Sequence, residues 1–293
     1  MKPHQTIIQT LPPLIFLLST PAIASTDVGE RVKLSGFARV VGGYLDEGGA
    51  TFGGYSNSLN FSQQSLLAVQ ADVTVTESIS LSGQLLAHSS DERESGVEWL
   101  YLTYQPSANW RFNIGKLRTP FFRYSDVIDV GFAYPWISPP EQVYGGFLFS
   151  NYEGISSTYS FNLDELNFEI EGYYGSYGGE FSRVGENIEI EVDQIQGLIG
   201  SLHNGNLTAR ISITQSADFY ADFPGFNDFA DVIEAAGFPE NAESLRFNGK
   251  ATGYQANIHY DTLDYFVAAE WVKIKSDLLT VPQTDAYYLM FGY

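Results

Sequence analysis

The sequence predicts an all-β protein, a transmembrane antiparallel β-barrel, and three observations carry that prediction. Segments of about ten residues alternate apolar and polar side chains, as a tilted membrane-spanning strand does. Tight turns and long connections follow one another in alternation, as they do when one rim of a barrel carries short turns and the other long loops. After the first two dozen residues, no apolar run approaches the roughly 20 residues that a spanning helix needs.

Composition agrees. The chain is rich in Tyr (19), Phe (21) and Gly (28), has 2 Met and no Cys, and carries a net charge of −20. A cysteine-free chain suits export through an oxidising compartment without disulfide staples. Such acidity makes it a poor binder of nucleic acid. Lys2, the apolar run Leu14-Ile15-Phe16-Leu17-Leu18 and Pro21-Ala22-Ile23-Ala24 together read as a secretory signal peptide, residues 1–24, cleaved after Ala24. That run is too short for a membrane anchor. Residues 25–293 are then the barrel.

About twelve strands can be placed in order. The first, 33–41, does not sort into faces, because Phe37 and Arg39 share one. In 66–75, Leu67, Val69, Ala71, Val73 and Val75 oppose Gln70, Asp72 and Thr74. Thr76-Glu77 turns this strand into 79–87. Pro106-Ser107-Ala108-Asn109 joins 97–104 to 110–117. Segment 155–161 turns through 162–165 into 166–174, where Leu166, Phe168 and Ile170 oppose Asn167, Glu169 and Glu171. Asn204-Gly205, a strong hairpin signal, joins 195–202 to 207–214, where Leu207, Ala209, Ile211 and Ile213 oppose Thr208, Arg210, Ser212 and Thr214. In 252–260, Tyr254, Ala256, Ile258 and Tyr260 oppose Gln255, Asn257 and His259; the turn 261–263 leads to 265–273. The end alternates Tyr287, Leu289, Phe291 and Tyr293.

Asp72, Glu169, Glu171 and Arg210 on the second face would be costly to bury unpaired and cheap in a water-filled lumen. Trp110, Tyr159, Phe161, Tyr260 and Tyr265 flank short turns, while Trp99, Tyr101, Tyr174 and Trp271 lie toward the long connections, as interfacial girdles do. Among the long connections, 215–246 contains a short amphipathic helix over 227–237, capped at Asn227 or Asp228 and stopped by Gly237.

The third long loop, about 118–150, is the most informative. Pro120, Pro135, Pro139 and Pro140 stiffen it, and Phe121, Phe122, Tyr124, Phe132, Tyr134, Trp136 and Tyr144 need a surface to pack on. The nearest is the barrel's inner wall. The run Gly115-Lys-Leu-Arg-Thr-Pro-Phe, then Tyr124-Ser-Asp, then Tyr134-Pro-Trp-Ile-Ser-Pro-Pro-Glu resembles the general outer-membrane porin superfamily of Gram-negative bacteria, in particular a porin-like proteobacterial subgroup. The resemblance is specific over residues 98–144 and elsewhere rests on strand rhythm.

It implies a bacterial outer-membrane location, a homotrimer, outer-membrane lipids around it, and passage of small hydrophilic solutes and ions. It also implies that the loop after the fifth strand folds inward and sets acidic residues across from basic ones on the wall. The candidates are Asp126, Asp129 and Glu141 on the loop, Arg39, Arg111 and Arg210 on strands, and Arg118 and Arg123 at the loop's entry. Family members usually have sixteen strands, so two readings stay open: a complete twelve-stranded barrel, or a larger one cut about four strands short.

No metal spacing appears among 4 His and no Cys, and no G-x-S-x-G, so neither a cofactor nor an enzyme is expected. His88-Ser89-Ser90 has the His–Ser spacing of an outer-membrane phospholipase, but the following strand offers Glu98, Trp99, Leu100 and Tyr101 and no asparagine to orient the histidine. A substrate-specific twelve-stranded channel is the other alternative; it should show aromatics along the lumen rather than opposed charges.

Overall fold

The computed structural model describes residues 24–27, 29–90, 95–145, 150–183, 186–222, 224–245, 247–262, 264–277 and 283–293. The expected signal peptide, apart from Ala24, lies outside them. Thirteen strands form one sheet in which each pairs antiparallel with its sequence neighbours. They are β1 (Ala24–Asp27), β2 (Val32–Arg39), β3 (Leu66–Thr74), β4 (Ile79–His88), β5 (Gly96–Tyr104), β6 (Trp110–Arg118), β7 (Asn151–Leu163), β8 (Leu166–Arg183), β9 (Glu186–Asn204), β10 (Leu207–Asp222), β11 (Phe247–Asp261), β12 (Phe266–Ser276) and β13 (Thr284–Gly292). Short helices α1 (Glu141–Tyr144), α2 (Pro224–Ala235) and α3 (Pro239–Leu245) lie in two of the long connections. Among the described residues no helix is long and apolar enough to cross a membrane.

Strands β2 to β13 are the twelve that the alternation predicts. The addition is β1, four residues too short to show a pattern. With β1 counted, the third long loop follows the sixth strand. β1 lies on the edge of β2, from Ala24 opposite Gly36 to Asp27 opposite Lys33. Among the described residues nothing pairs β13 with β1 or β2, so the ladder is not closed.

The two faces separate as the alternation requires. On β3, Leu67 and Val69 are about half exposed while Leu66 and Ala68 are buried. On β10, Ile211 and Ile213 are exposed while Ser212, Thr214 and Ser216 are buried. This arrangement, apolar side chains outside and polar ones inside, is the reverse of a water-soluble sheet. Aromatics ring the outer face beside the short turns: Trp110 meets Tyr159 at 4.7 Å, Phe161 meets Phe168 at 5.2 Å and Tyr260 meets Tyr265 at 6.1 Å between ring centroids. Tyr174 and Trp271 are exposed toward the long connections. Trp99 and Tyr101 depart from the expected girdle. Glu98 is an extra residue on β5, since Gln84 pairs with Trp99 and Leu85 with Val97. That bulge turns Glu98 and Trp99 to the inner side, with Tyr101 following beside Ser82.

Turn chemistry explains the hairpins. Gly205 takes φ 53° after Asn204, and Asp164 takes the same φ between β7 and β8, a conformation that Asp tolerates. β8 to β11 run 18, 19, 16 and 15 residues, well beyond the roughly ten that a crossing needs, so they continue past the apolar band. The alternation predicts loops over 175–187 and much of 215–246 instead. Strand persists there because both segments pair with β9, Tyr177 opposite Val192 to Arg183 opposite Glu186 and Phe219 opposite Val192 to Asp222 opposite Glu189; in that part of β9 Ile190 and Val192 are buried while Glu189, Glu191 and Asp193 face out, an alternation whose outer half is acidic rather than apolar. α2 begins three residues before the expected cap, and Gly237 (φ 92°) follows its end as expected.

Candidate pore constriction

The loop between β6 and β7 turns inward at its root, where the Thr119 N–H donates to Ser150 O at 2.9 Å. Its partners lie on β10 to β13 and β2, far from β6 and β7 in the ladder. They are inner-face residues throughout, so the loop crosses the concave side of the sheet.

Phe121 is buried against β11, where a Cβ at Gly253 would sit 2.6 Å from its ring; only glycine admits it. The Phe121 carbonyl accepts from Arg210 Nη1 and Ser212 Oγ, each at 3.0 Å, and Arg210 also donates to Pro120 O. Phe122, Tyr124, Tyr134, Val143 and Tyr144 pack with Phe121 on Val272 of β12, with Ile274, Ala286 and Tyr288 at the margin. Trp136 meets Tyr288 edge-on at 5.0 Å. At the other end of the sheet, Arg39 of β2 donates to Gln64 O at 3.0 Å and to the Tyr134 hydroxyl at 3.2 Å.

Glu270 of β12 ties both limbs of the loop. Its carboxylate, 1% exposed, accepts from the Arg123 backbone N–H at 3.0 Å, the Tyr144 hydroxyl at 2.5 Å and Gln255 Nε2 at 2.9 Å. Burial, and then the Glu270 charge, hold the Tyr144 phenol far above its ordinary pKa, so it stays a donor. Arg123 Nη1 donates to Asn257 Oδ1 at 3.3 Å, and its guanidinium lies over Tyr124. Burial likewise raises the Tyr134 phenol, against the Arg39 charge.

A second buried charge group holds the root. Arg118 donates to Glu98 and to Asp129, each at 2.6 Å, and stands over Trp99. Ser150 Oγ also donates to Glu98, at 3.1 Å.

The predicted site residues therefore divide. Arg39, Arg118 and Arg210 grip the loop rather than standing free on the wall, and Arg123, in the loop itself, binds Glu270 and Asn257 of the wall. Asp129 is buried beside Arg118 because the 3₁₀ turn Ser125–Val127 and the residues after it curl back toward β6. Asp126, in that turn, is exposed, caps nothing, and acts electrostatically on Glu171, Arg210, Tyr101 and Tyr152. Arg111, half exposed on β6, lies 3.4 Å from Glu169 and also acts on Tyr101 and Glu171. Asp126 on the loop and Arg111 on the wall thus both lie within electrostatic reach of Tyr101 and Glu171. Glu141 opens α1, exposed and apart from that space.

Sequence reasoning missed Glu98, Tyr144, Gln255 and Glu270 as parts of the site. A signal existed for two of them: Glu98 marks the slip in the β5 alternation, and Glu270 is a lone carboxylate at an inner position between Ala268 and Val272. The Ser89 hydroxyl donates to Ser62 O and Ser65 O, each at 2.8 Å. No group of three or more acidic or histidine side chains among the described residues could hold a metal.

No protein-family model matches the chain, and no curated protein sequence matches it. Among solved structures it is similar to Salmonella typhi OmpF in complex with daunomycin, with 10% identity, 91% of this chain and 86% of that one covered, and a TM-score of 0.43. It is also similar to Pseudomonas aeruginosa OccK3, with 9% identity, 97% and 74% coverage and a TM-score of 0.44. The OmpT outer membrane protein of Vibrio cholerae, in a trimer form, is 12% identical over 90% of this chain and 84% of that one, with a TM-score of 0.37.

Proposed function

We propose that the protein is a porin-like passive diffusion channel of the bacterial outer membrane for small polar solutes and ions. One observation carries the reading: an aromatic, proline-stiffened loop is latched across the concave side of a sheet whose outer face is apolar and whose inner face is polar. A loop so placed narrows a water-filled lumen without filling it with apolar side chains, and its water-facing charge, Asp126, acts on the same Tyr101 and Glu171 as Arg111 on the wall. The space between them would orient polar solutes and reject apolar ones.

A channel also requires closure, because an open edge would leave unpaired backbone groups in lipid. In a twelve-stranded barrel β13, which runs in the same direction as β1, would meet β2 in place of β1; in a larger one further strands would lie between them. The homotrimer is proposed with the same reading. The chain is not proposed as an enzyme; opposed charges, Asp126 on the loop and Arg111 on the wall, favour the general diffusion channel over the substrate-specific one. Planar-bilayer recording of refolded protein tests the reading: discrete conductance steps are expected, and a refolded, membrane-inserted protein that never conducts would refute it.

A further inference from the structure

The outer face of β11 to β13 changes character along its length. Toward the short turns it is apolar, with Ile258, Val267 and Leu289 exposed on successive strands. Trp271 and Tyr287 follow, opposite each other. In the next row outward, Tyr254, Lys273 and Asp285 stand side by side across the three strands. Lys275 then lies opposite Thr252, and Lys250 occupies the next outward position on β11. Three of the six lysines thus share one outward patch, in a chain of net charge −20.

β12 has 11 residues, about one membrane crossing. It starts at a short turn, so Lys275 near its end stands at the boundary on the long-loop side, which is the outer leaflet. The aromatic rings beneath mark the same level. Asp285 neutralises Lys273: its carboxylate accepts from Lys273 Nζ at 2.7 Å and from Trp271 Nε1 at 2.8 Å. Lys250 and Lys275 are exposed, and neither has an ion-pair partner within 4 Å among the described residues. Lys275 Nζ lies 5.9 Å from the centre of the Tyr254 ring. Asp277 ends the patch, its N–H donating to Lys250 O at 3.0 Å, and its carboxylate pairs with neither lysine. Diagonal neighbours on paired antiparallel strands are about 7–8 Å apart, so the two ammoniums and the Thr252 hydroxyl between them can meet on one anion. The patch faces away from the lumen and toward the headgroup layer.

We propose that Lys250 and Lys275, with Thr252, bind the anionic phosphate of an outer-leaflet lipid, whose acyl chains lie on Ile258, Val267 and Leu289. Lysine takes phosphate as a point charge, and the rings of Trp271 and Tyr254 support the headgroup's apolar edge. Glu189, Glu191 and Asp193 of a second copy carry matching charge, but they stand where β9 has run past the apolar band. The lysines lie just above aromatic rings at headgroup depth, which favours the lipid. The site rests on the outer-membrane location and not on conduction.

The test uses the full chain refolded into phosphatidylcholine vesicles containing a minor share of phosphatidic acid, with bromine on the acyl chains of one lipid or the other. Bromine quenches a tryptophan that it touches, and the Trp271 share is read as the difference from the Trp271→Phe protein. At about fivefold per lysine near an anionic headgroup, wild type should favour phosphatidic acid about 25-fold at Trp271. Near 1 M salt, where the screening length is about 3 Å, most of that preference should vanish. Lys250→Gln with Lys275→Gln should remove it, and Lys250→Arg with Lys275→Arg should keep it. Lys116→Gln, on β6, should leave it unchanged. Equal binding of the two lipids in wild type overturns the proposal. So does an equal fall in Lys116→Gln, which would show attraction by overall charge without a site. A double Gln variant that keeps the preference but separates into single chains overturns it in favour of a contact between copies.

Discussion

Replacing Glu270 with alanine should loosen both limbs of the inward loop while the sheet stands. The carboxylate receives the Arg123 N–H at 3.0 Å and the Tyr144 hydroxyl at 2.5 Å, one from each limb. A hydrogen bond to a charged acceptor contributes about 1.5–3 kcal/mol, so losing two costs the latched state about 3–6 kcal/mol. At about 1.4 kcal/mol per tenfold, excursions that lift Arg123 and Tyr144 off β12 become about 10²–10⁴ times more populated. The aromatic cluster on Val272 still holds the loop on average, so greater mobility is expected rather than full release. Amide hydrogen exchange reads this at the Arg123 N–H, whose protection should fall by that factor, and single-channel recording should show noisier and larger openings. Glu270→Gln keeps one acceptor oxygen but turns a donor toward the site, and should fall between wild type and Glu270→Ala. Unchanged Arg123 protection together with unchanged conductance in a normally folded Glu270→Ala protein would show that the latch does not hold the loop.

Other expectations follow from the same geometry. Arg118→Ala strands two buried carboxylates and should lower unfolding stability by about 3–5 kcal/mol, read by thermal melting in detergent; adding Glu98→Gln and Asp129→Asn should restore part of it. Gly253→Val drives a side chain into the Phe121 ring and should cost about 1–3 kcal/mol, with tryptophan or tyrosine fluorescence reporting the displaced loop. Ile211→Arg places a charge in the outer apolar band and should cost about 2–4 kcal/mol near its middle, measured as refolding yield into vesicles, whereas Ser212→Arg on the inner face should fail to dock the loop instead. Cysteines at facing positions of β2 and β13 should cross-link in vesicles if the ladder closes there; absence of the cross-link in a folded, inserted protein would count against that closure.

Much of the sheet was legible because alternation is a local signal. Leu67 and Val69 announce the outer face of β3 without reference to anything distant, and Asn204-Gly205 announces its hairpin. The signal faded where the outer face turned acidic, as at Glu189, Glu191 and Asp193, since apolar residues then occupy only the inner side, at Ile190 and Val192, and no lipid-facing row marks the strand. It also failed at β5, where the extra residue Glu98 shifts the phase and carries Trp99 and Tyr101 inside. β1 left no pattern in four residues.

The sequence by itself determined that strands alternate faces, that short turns share one rim, and that the segment 118–150 is too aromatic and too proline-rich to stand in water. These are consequences of backbone period and of apolar surface, which each residue carries with it. Only the tertiary structure decided which charges face the lumen. Asp126 and Asp129 are three residues apart and chemically alike, yet one is exposed and the other lies 2.6 Å from Arg118 beneath the loop. A charge's role depends on what lies within a few ångströms of it, and Arg39, Arg210 and Glu270 reach the loop from strands that the sequence does not place beside it.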